Sequence, residues 1–119
     1  MIQIVREFVV KENARGRLEL ALGPGGAWSK LFARSAGFRG TMLLRDAEDP
    51  LRYLTFDLWD TKDQWQQTLA ECSVEYSDLE AGFSDWTRSK TELGTFRVVA
   101  EATVRPRGRA RRRGPRATR

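Results

Sequence analysis

Residues 2–10 (IQIVREFVV) alternate in the manner of a strand, and Arg6 stands in the middle of the apolar row of Ile2, Ile4, Phe8 and Val10. A guanidinium turned toward a core must be paired or solvated, because an unpaired buried charge is strongly unfavourable. Arg6 can therefore bind an anion or phenolate inside a cavity, where a cation favours the deprotonated ligand. It can equally form a buried ion pair with a helical acid such as Glu75 or Asp78, or reach solvent at the strand edge. Tyr76 is the best candidate for a proton donor, since its phenol both donates and accepts hydrogen bonds. Trp28, Phe32 and Trp65 on helical faces, with Phe56 and Trp59 from a strand, offer flat walls for a polycyclic ligand. The same aromatics also serve as ordinary core, and Trp59 as interface packing.

Several chemistries are excluded by composition. The chain has 119 residues, no histidine and one cysteine, which rules out a Ser-His-Asp triad, a His-ligated haem and a Cys/His zinc site. Cys72 has no internal disulfide partner, which suits a reducing cytoplasm, and in an apolar stripe it reads as an inert buried thiol. Gly23-Pro24-Gly25-Gly26 lacks the Lys and Ser/Thr of a P-loop and the spacing of a dinucleotide fingerprint, so it is a helix break or a hinge. The acid pairs Asp60/Asp63 and Glu48/Asp49 fall at caps and turns, which accounts for them without catalysis. No window is long and apolar enough for a membrane helix, and the first residues lack the pattern of a signal peptide.

The formal charge of +5 is unevenly placed. Eight arginines occupy residues 105–119 with no acid among them, so the remaining 13 basic and 16 acidic residues leave the body at −3. That segment has no apolar side chain larger than alanine and is expected to be a disordered tail. It could act as an electrostatic arm for nucleic acid or another anionic surface. Without interleaved aromatics such binding would be non-specific. The same composition also arises from drift of a weakly selected terminus in a GC-rich genome. The domain is therefore placed at residues 1–104 and the tail at 105–119.

The elements that must position these residues follow from periodicity. A helix is predicted from an Asn13 cap through Ala14, Leu18, Ala21 and Leu22, then a short helical piece carrying Trp28, Leu31 and Phe32. Residues 38–45 and 53–59 alternate as strands joined by the polar turn DAEDP, a natural hairpin. Thr61 and Gln64 form a capping box for the region 62–88. There Trp65, Leu69, Cys72, Tyr76, Leu79, Phe83 and Trp86 form one stripe, on either one long helix or two. Phe96, Val98, Ala100, Ala102 and Val104 alternate as a final strand.

The order is β-α-β-β-α-β: an α+β, ferredoxin-like four-stranded antiparallel sheet with its helices on one face. By apolarity, Ile2, Ile4 and Phe8, Met42 and Leu44, Leu54, Phe56 and Leu58, and Phe96 and Val98 are expected to face the helices. The opposite row holds Val5, Val9, Leu43, Tyr53, Trp59 and Val99 among charges. It is too apolar for free solvation, and a second copy of the sheet would cover it in a homodimer.

Gly37-Phe38-Arg39-Gly40 opening the second strand, and Tyr53-Leu54-Thr55-Phe56-Asp57-Leu58-Trp59 followed by Asp60-Thr61 and an aromatic-bearing helix, resemble the antibiotic biosynthesis monooxygenase (ABM) family over about residues 1–100. The resemblance implies a dimeric α/β barrel with a ligand cavity in each subunit between sheet and helices. Its haem-degrading branch requires a histidine, which is absent, and Glu7 stands where that branch carries Asn, so haem is not expected. Its cofactor-free branch uses neither metal nor flavin: an electron-rich phenolate reduces molecular oxygen, the co-substrate, and the protein supplies shape and anion stabilisation. Thr55 stands where that branch has a polar amide, with Trp59 four residues later. The expectation is a cytoplasmic, ABM-like protein that binds a hydrophobic or phenolic small molecule as a cofactor-independent monooxygenase. Arg6 and Tyr76 would be its catalytic residues, and Trp28, Phe32, Phe56, Trp59 and Trp65 its substrate-binding walls. The alternative is a non-catalytic ligand-binding or stress-associated dimer module.

Overall fold

The structure, a computed structural model, describes residues 1–106. Strands β1 (Ile2–Val10), β2 (Phe38–Arg45), β3 (Arg52–Trp59) and β4 (Thr87–Arg97) form one antiparallel sheet in the order β2-β3-β1-β4. Helices α1 (Arg15–Leu22) and α2 (Ala27–Phe32) connect β1 to β2, and α3 (Lys62–Glu71) and α4 (Ser73–Ser84) connect β3 to β4. All pack on one face, the α+β ferredoxin-like arrangement. The arginine-rich segment lies outside the described residues from position 107 onward; Arg105 and Pro106 have no regular structure.

Local chemistry explains most boundaries. The Thr61 hydroxyl accepts from the Gln64 N–H and starts α3. The 62–88 region is two helices, divided at Cys72, whose φ of −109° and ψ of 27° leave the helical region. The β2–β3 turn is held by the Asp46 carboxylate, which accepts from the N–H groups of Glu48 and Asp49. Asn13 is not the cap of α1. It lies in a 3₁₀ turn, Glu12–Ala14, with no side-chain cap.

Two expectations about the sheet are corrected. The final strand is Thr87–Arg97, not 96–104. β4 is an edge strand of mostly exposed side chains held by its backbone ladder to β1, so its TRSKTELGTFR carries no apolar alternation to read. At Gly94, φ of 152° accompanies a bulge opposite Val5 and Arg6, and a Cβ there would meet the Phe96 ring at 3.2 Å. The second correction is parity. β1 pairs Phe8 with Tyr53, Arg6 with Thr55, Ile4 with Asp57 and Ile2 with Trp59, and these are the helix-facing partners. Leu54, Phe56 and Leu58, with Met42 and Leu44 of β2 and Phe96 of β4, therefore lie on the uncovered face. Tyr53 and Trp59 instead belong to the core.

Candidate functional site

The space between sheet and helices holds an aromatic layer over a polar floor. Phe32 of α2 packs edge-on against Trp59 at 5.4 Å and Phe38 at 5.6 Å, and lies nearly parallel to Tyr76 of α4 at 6.2 Å between ring centroids. Further along, Phe83 meets Trp28 at 4.9 Å and Phe8 at 5.0 Å. These rings come from both helical connections and from three strands, so no single segment could assemble them.

The floor is built around Arg6. Its Nη2 donates to Asp57 Oδ2 at 3.2 Å, and its Nη1 donates to the Tyr76 hydroxyl at 3.3 Å and lies 3.7 Å from Glu80 Oε1. The Thr41 hydroxyl donates to the other oxygen of Asp57 at 2.7 Å. Lys90 of β4 pairs with Glu80, closing a chain of two cations and two anions that is neutral as a whole. Burial, and after it the positive charge of Arg6, lower the Lys90 ammonium below its ordinary pKa. The Arg6 side chain is 9% exposed and that of Asp57 7%, so mutual neutralisation is what permits both inside.

The helical acids expected to pair with Arg6 do not. Glu75 binds Arg34 at 2.6 Å on the surface, and Asp57 and Glu80 take its place. Asp57, Thr41 and Glu80 are the residues that sequence reasoning missed. Asp57 sits in a strand whose apolar row pointed the wrong way. The signal that could have found it is the lone cation of β1, which requires an acid on a neighbouring strand.

Of the expected site residues, Arg6, Tyr76, Phe32 and Trp59 are brought together, and Trp28 joins them through Phe83 and Phe8. Trp65 is half-buried against the same core. Phe56 lies on the opposite face of the sheet. The Oγ1 of Thr55, the Nε1 atoms of Trp59 and Trp28 and the Nε of Arg6 are buried without a hydrogen-bond partner. A buried polar atom left without a partner is costly unless a water or a ligand satisfies it.

Arg6 lines none of the five principal clefts. An apolar cleft of about 270 Å³ lies between Pro24, Ser29 and Ala33 on the helical side and Phe38 and Thr41 of β2. It meets the aromatic layer at Phe38 and the polar floor at Thr41. Among the described residues no three Cys, Asp or Glu side chains converge to hold a metal ion, and no helix is long and apolar enough to cross a membrane.

Solved structures share this architecture. SnoaB, a cofactor-independent oxygenase from Streptomyces nogalater, aligns with a TM-score of 0.67 at 19% identity, over 84% of this chain and 94% of its own. A candidate antibiotic biosynthesis monooxygenase from Bordetella bronchiseptica gives 0.67 at 21%, over 83% and 97%, and one from Nitrosomonas europaea 0.63 at 13%, over 84% and 100%. The fold is that of the antibiotic biosynthesis monooxygenases. No protein-family model matches the chain, and no curated protein matches it significantly. At these identities the ABM fold is shared while the side chains that fill it are largely this chain's own.

Proposed function

We propose that the protein is a cofactor-independent oxygenase of the ABM type, acting on a phenolic or polycyclic aromatic compound. The observation that supports this best is the Arg6–Tyr76 pair beside the Phe32–Trp59–Phe38 layer. Because the guanidinium donates to the phenol oxygen, the Tyr76 proton remains free to be donated to a substrate oxyanion. Arg6, its charge balanced by Asp57 and Glu80, orients that donor through its hydrogen bond, and the aromatic walls exclude water and hold a flat ring system. With an anthrone-type substrate a ring methylene becomes a carbonyl and its two hydrogens leave as water. Dioxygen alone balances that reaction, with no metal, flavin or haem. SnoaB, with the same fold, is a cofactor-independent oxygenase.

The same reading includes a homodimer in the cytoplasm. The uncovered sheet face carries Met42, Leu44 and Phe96, exposed by 57%, 42% and 52%, beside half-buried Leu54, Phe56 and Leu58. A second copy of that face would cover it. The free thiol of Cys72 suits a reducing compartment.

A packed interior favours a second reading, a dimer that binds a hydrophobic small molecule without turnover, since Arg6 reaches no principal cleft. Oxygen uptake with anthrone- and quinol-type substrates separates the two. The oxygenase reading expects uptake matched to product and a loss of about 10²-fold in Tyr76→Phe. Saturable binding without uptake supports the second reading.

A further inference from the structure

A second group of titratable side chains lies at the end of β2 next to the β2–β3 turn. A cleft of about 570 Å³ opens there between α1 and the β2–β3 hairpin, with Arg15, Glu19, Leu43, Arg45, Pro50 and Tyr53 on its walls. Its two acids are already engaged. Asp46 accepts from two backbone N–H groups and from Arg52, which hold its carboxyl below the usual range. Glu19 accepts from the Tyr53 hydroxyl at 2.5 Å and has Arg45 at 3.5 Å.

The cations are not matched in the same way. Arg45 is held only at that longer distance, and its side chain is half exposed. Among the described residues Arg15 forms no ion pair, and its Nε is buried without a hydrogen-bond partner. Arg15 is also the first residue of α1, where the helix dipole disfavours a cation. Arg15 therefore brings to the cleft a positive charge that no ion pair matches.

We propose that this cleft is a binding site for a small organic carboxylate, gripped by Arg15 and Arg45. Guanidinium forks match a carboxylate in geometry as well as charge. Leu43, Ala47 and Pro50 give the ligand's apolar body a surface within an open groove of about 570 Å³. Glu19 tunes the site, because it competes with the ligand for Arg45. The site stands on its own residues and is independent of any oxygenase activity in the interior.

The test is a fluorescence titration of the full-length protein with 2-naphthoate, with 2-naphthalenemethanol as a neutral control of the same shape. Saturable one-to-one binding of the acid is expected, with about tenfold weaker affinity in Arg15→Gln and in Arg45→Gln. Glu19→Gln should bind severalfold tighter, a direction that structural damage does not produce. Circular dichroism and melting temperature verify that each variant folds. Equal affinity in all variants would place the binding elsewhere, the arginines of 105–119 included, and overturn the proposal. So would equal binding of the neutral alcohol, equal competition by inorganic phosphate, or no saturation.

Discussion

On β3 the side chains of Tyr53, Thr55, Asp57 and Trp59 are nearly inaccessible, while Leu54, Phe56 and Leu58 of the same strand are only half covered. The more polar row is inside and the more apolar row faces out. Pairing explains the inversion. β1 commits Ile4, Phe8 and Val10 to the helices, and the antiparallel register places Tyr53, Thr55, Asp57 and Trp59 beside that row. Inside, the large rings fill volume and Asp57 neutralises Arg6; outside, the leucines and Phe56 stay half exposed. A strand's hydropathy thus identifies two rows without saying which is buried.

The contrast can be broken at its strongest point by truncating one ring from each face. Trp59→Ala, at a fully inaccessible site, should cost about 3–5 kcal/mol in urea unfolding. Phe56→Ala should cost far less when the monomer is measured at high dilution. Equal losses would remove the distinction between the faces.

Next comes the buried charge. Asp57→Ala strands Arg6 and should cost about 3 kcal/mol, the lower end for breaking a buried pair, because Glu80 remains nearby. Combining Asp57→Leu with Arg6→Met should recover much of that stability, since two apolar side chains need no partner. A double variant as unstable as the single one would show that the pair contributes more than mutual neutralisation.

On the outer face, Met42→Asp should leave the monomer's melting temperature within a few degrees of the parent and weaken dimerisation by about tenfold or more in sedimentation equilibrium. A stable monomer in the parent protein at micromolar concentration would sink the dimer itself.

The smallest effect is the pH dependence of the rim. Asp46, Asp60 and Glu75 are held below their ordinary carboxylate values, Asp46 mainly by backbone N–H groups, Asp60 by Arg39 and Glu75 by Arg34. Depressed carboxylates stabilise the fold fully above their unfolded values of 3.8 for Asp and 4.5 for Glu, and that stability is lost as pH falls through the lower folded values. Melting temperature should therefore fall below about pH 4, and Asp46→Asn should flatten the fall slightly. A melting temperature that stays level down to pH 2 would contradict the pairing at all three sites.

The sequence by itself determined the order of elements, the hairpin, the Thr61 cap and the odd cation at Arg6, because these rest on alternation, capping and turn chemistry within a few residues. It also identified the aromatic stripe carrying Tyr76 and the rings Phe32 and Trp59, though not that they meet. Only the tertiary structure decided which face of β3 is buried, that Asp57 rather than Glu75 or Asp78 answers Arg6, and that the edge strand runs over Thr87–Arg97. The physical reason is common to all three. Register and edge pairing are set by backbone hydrogen bonds between distant segments, and those bonds leave no periodic trace in the strand's own side chains.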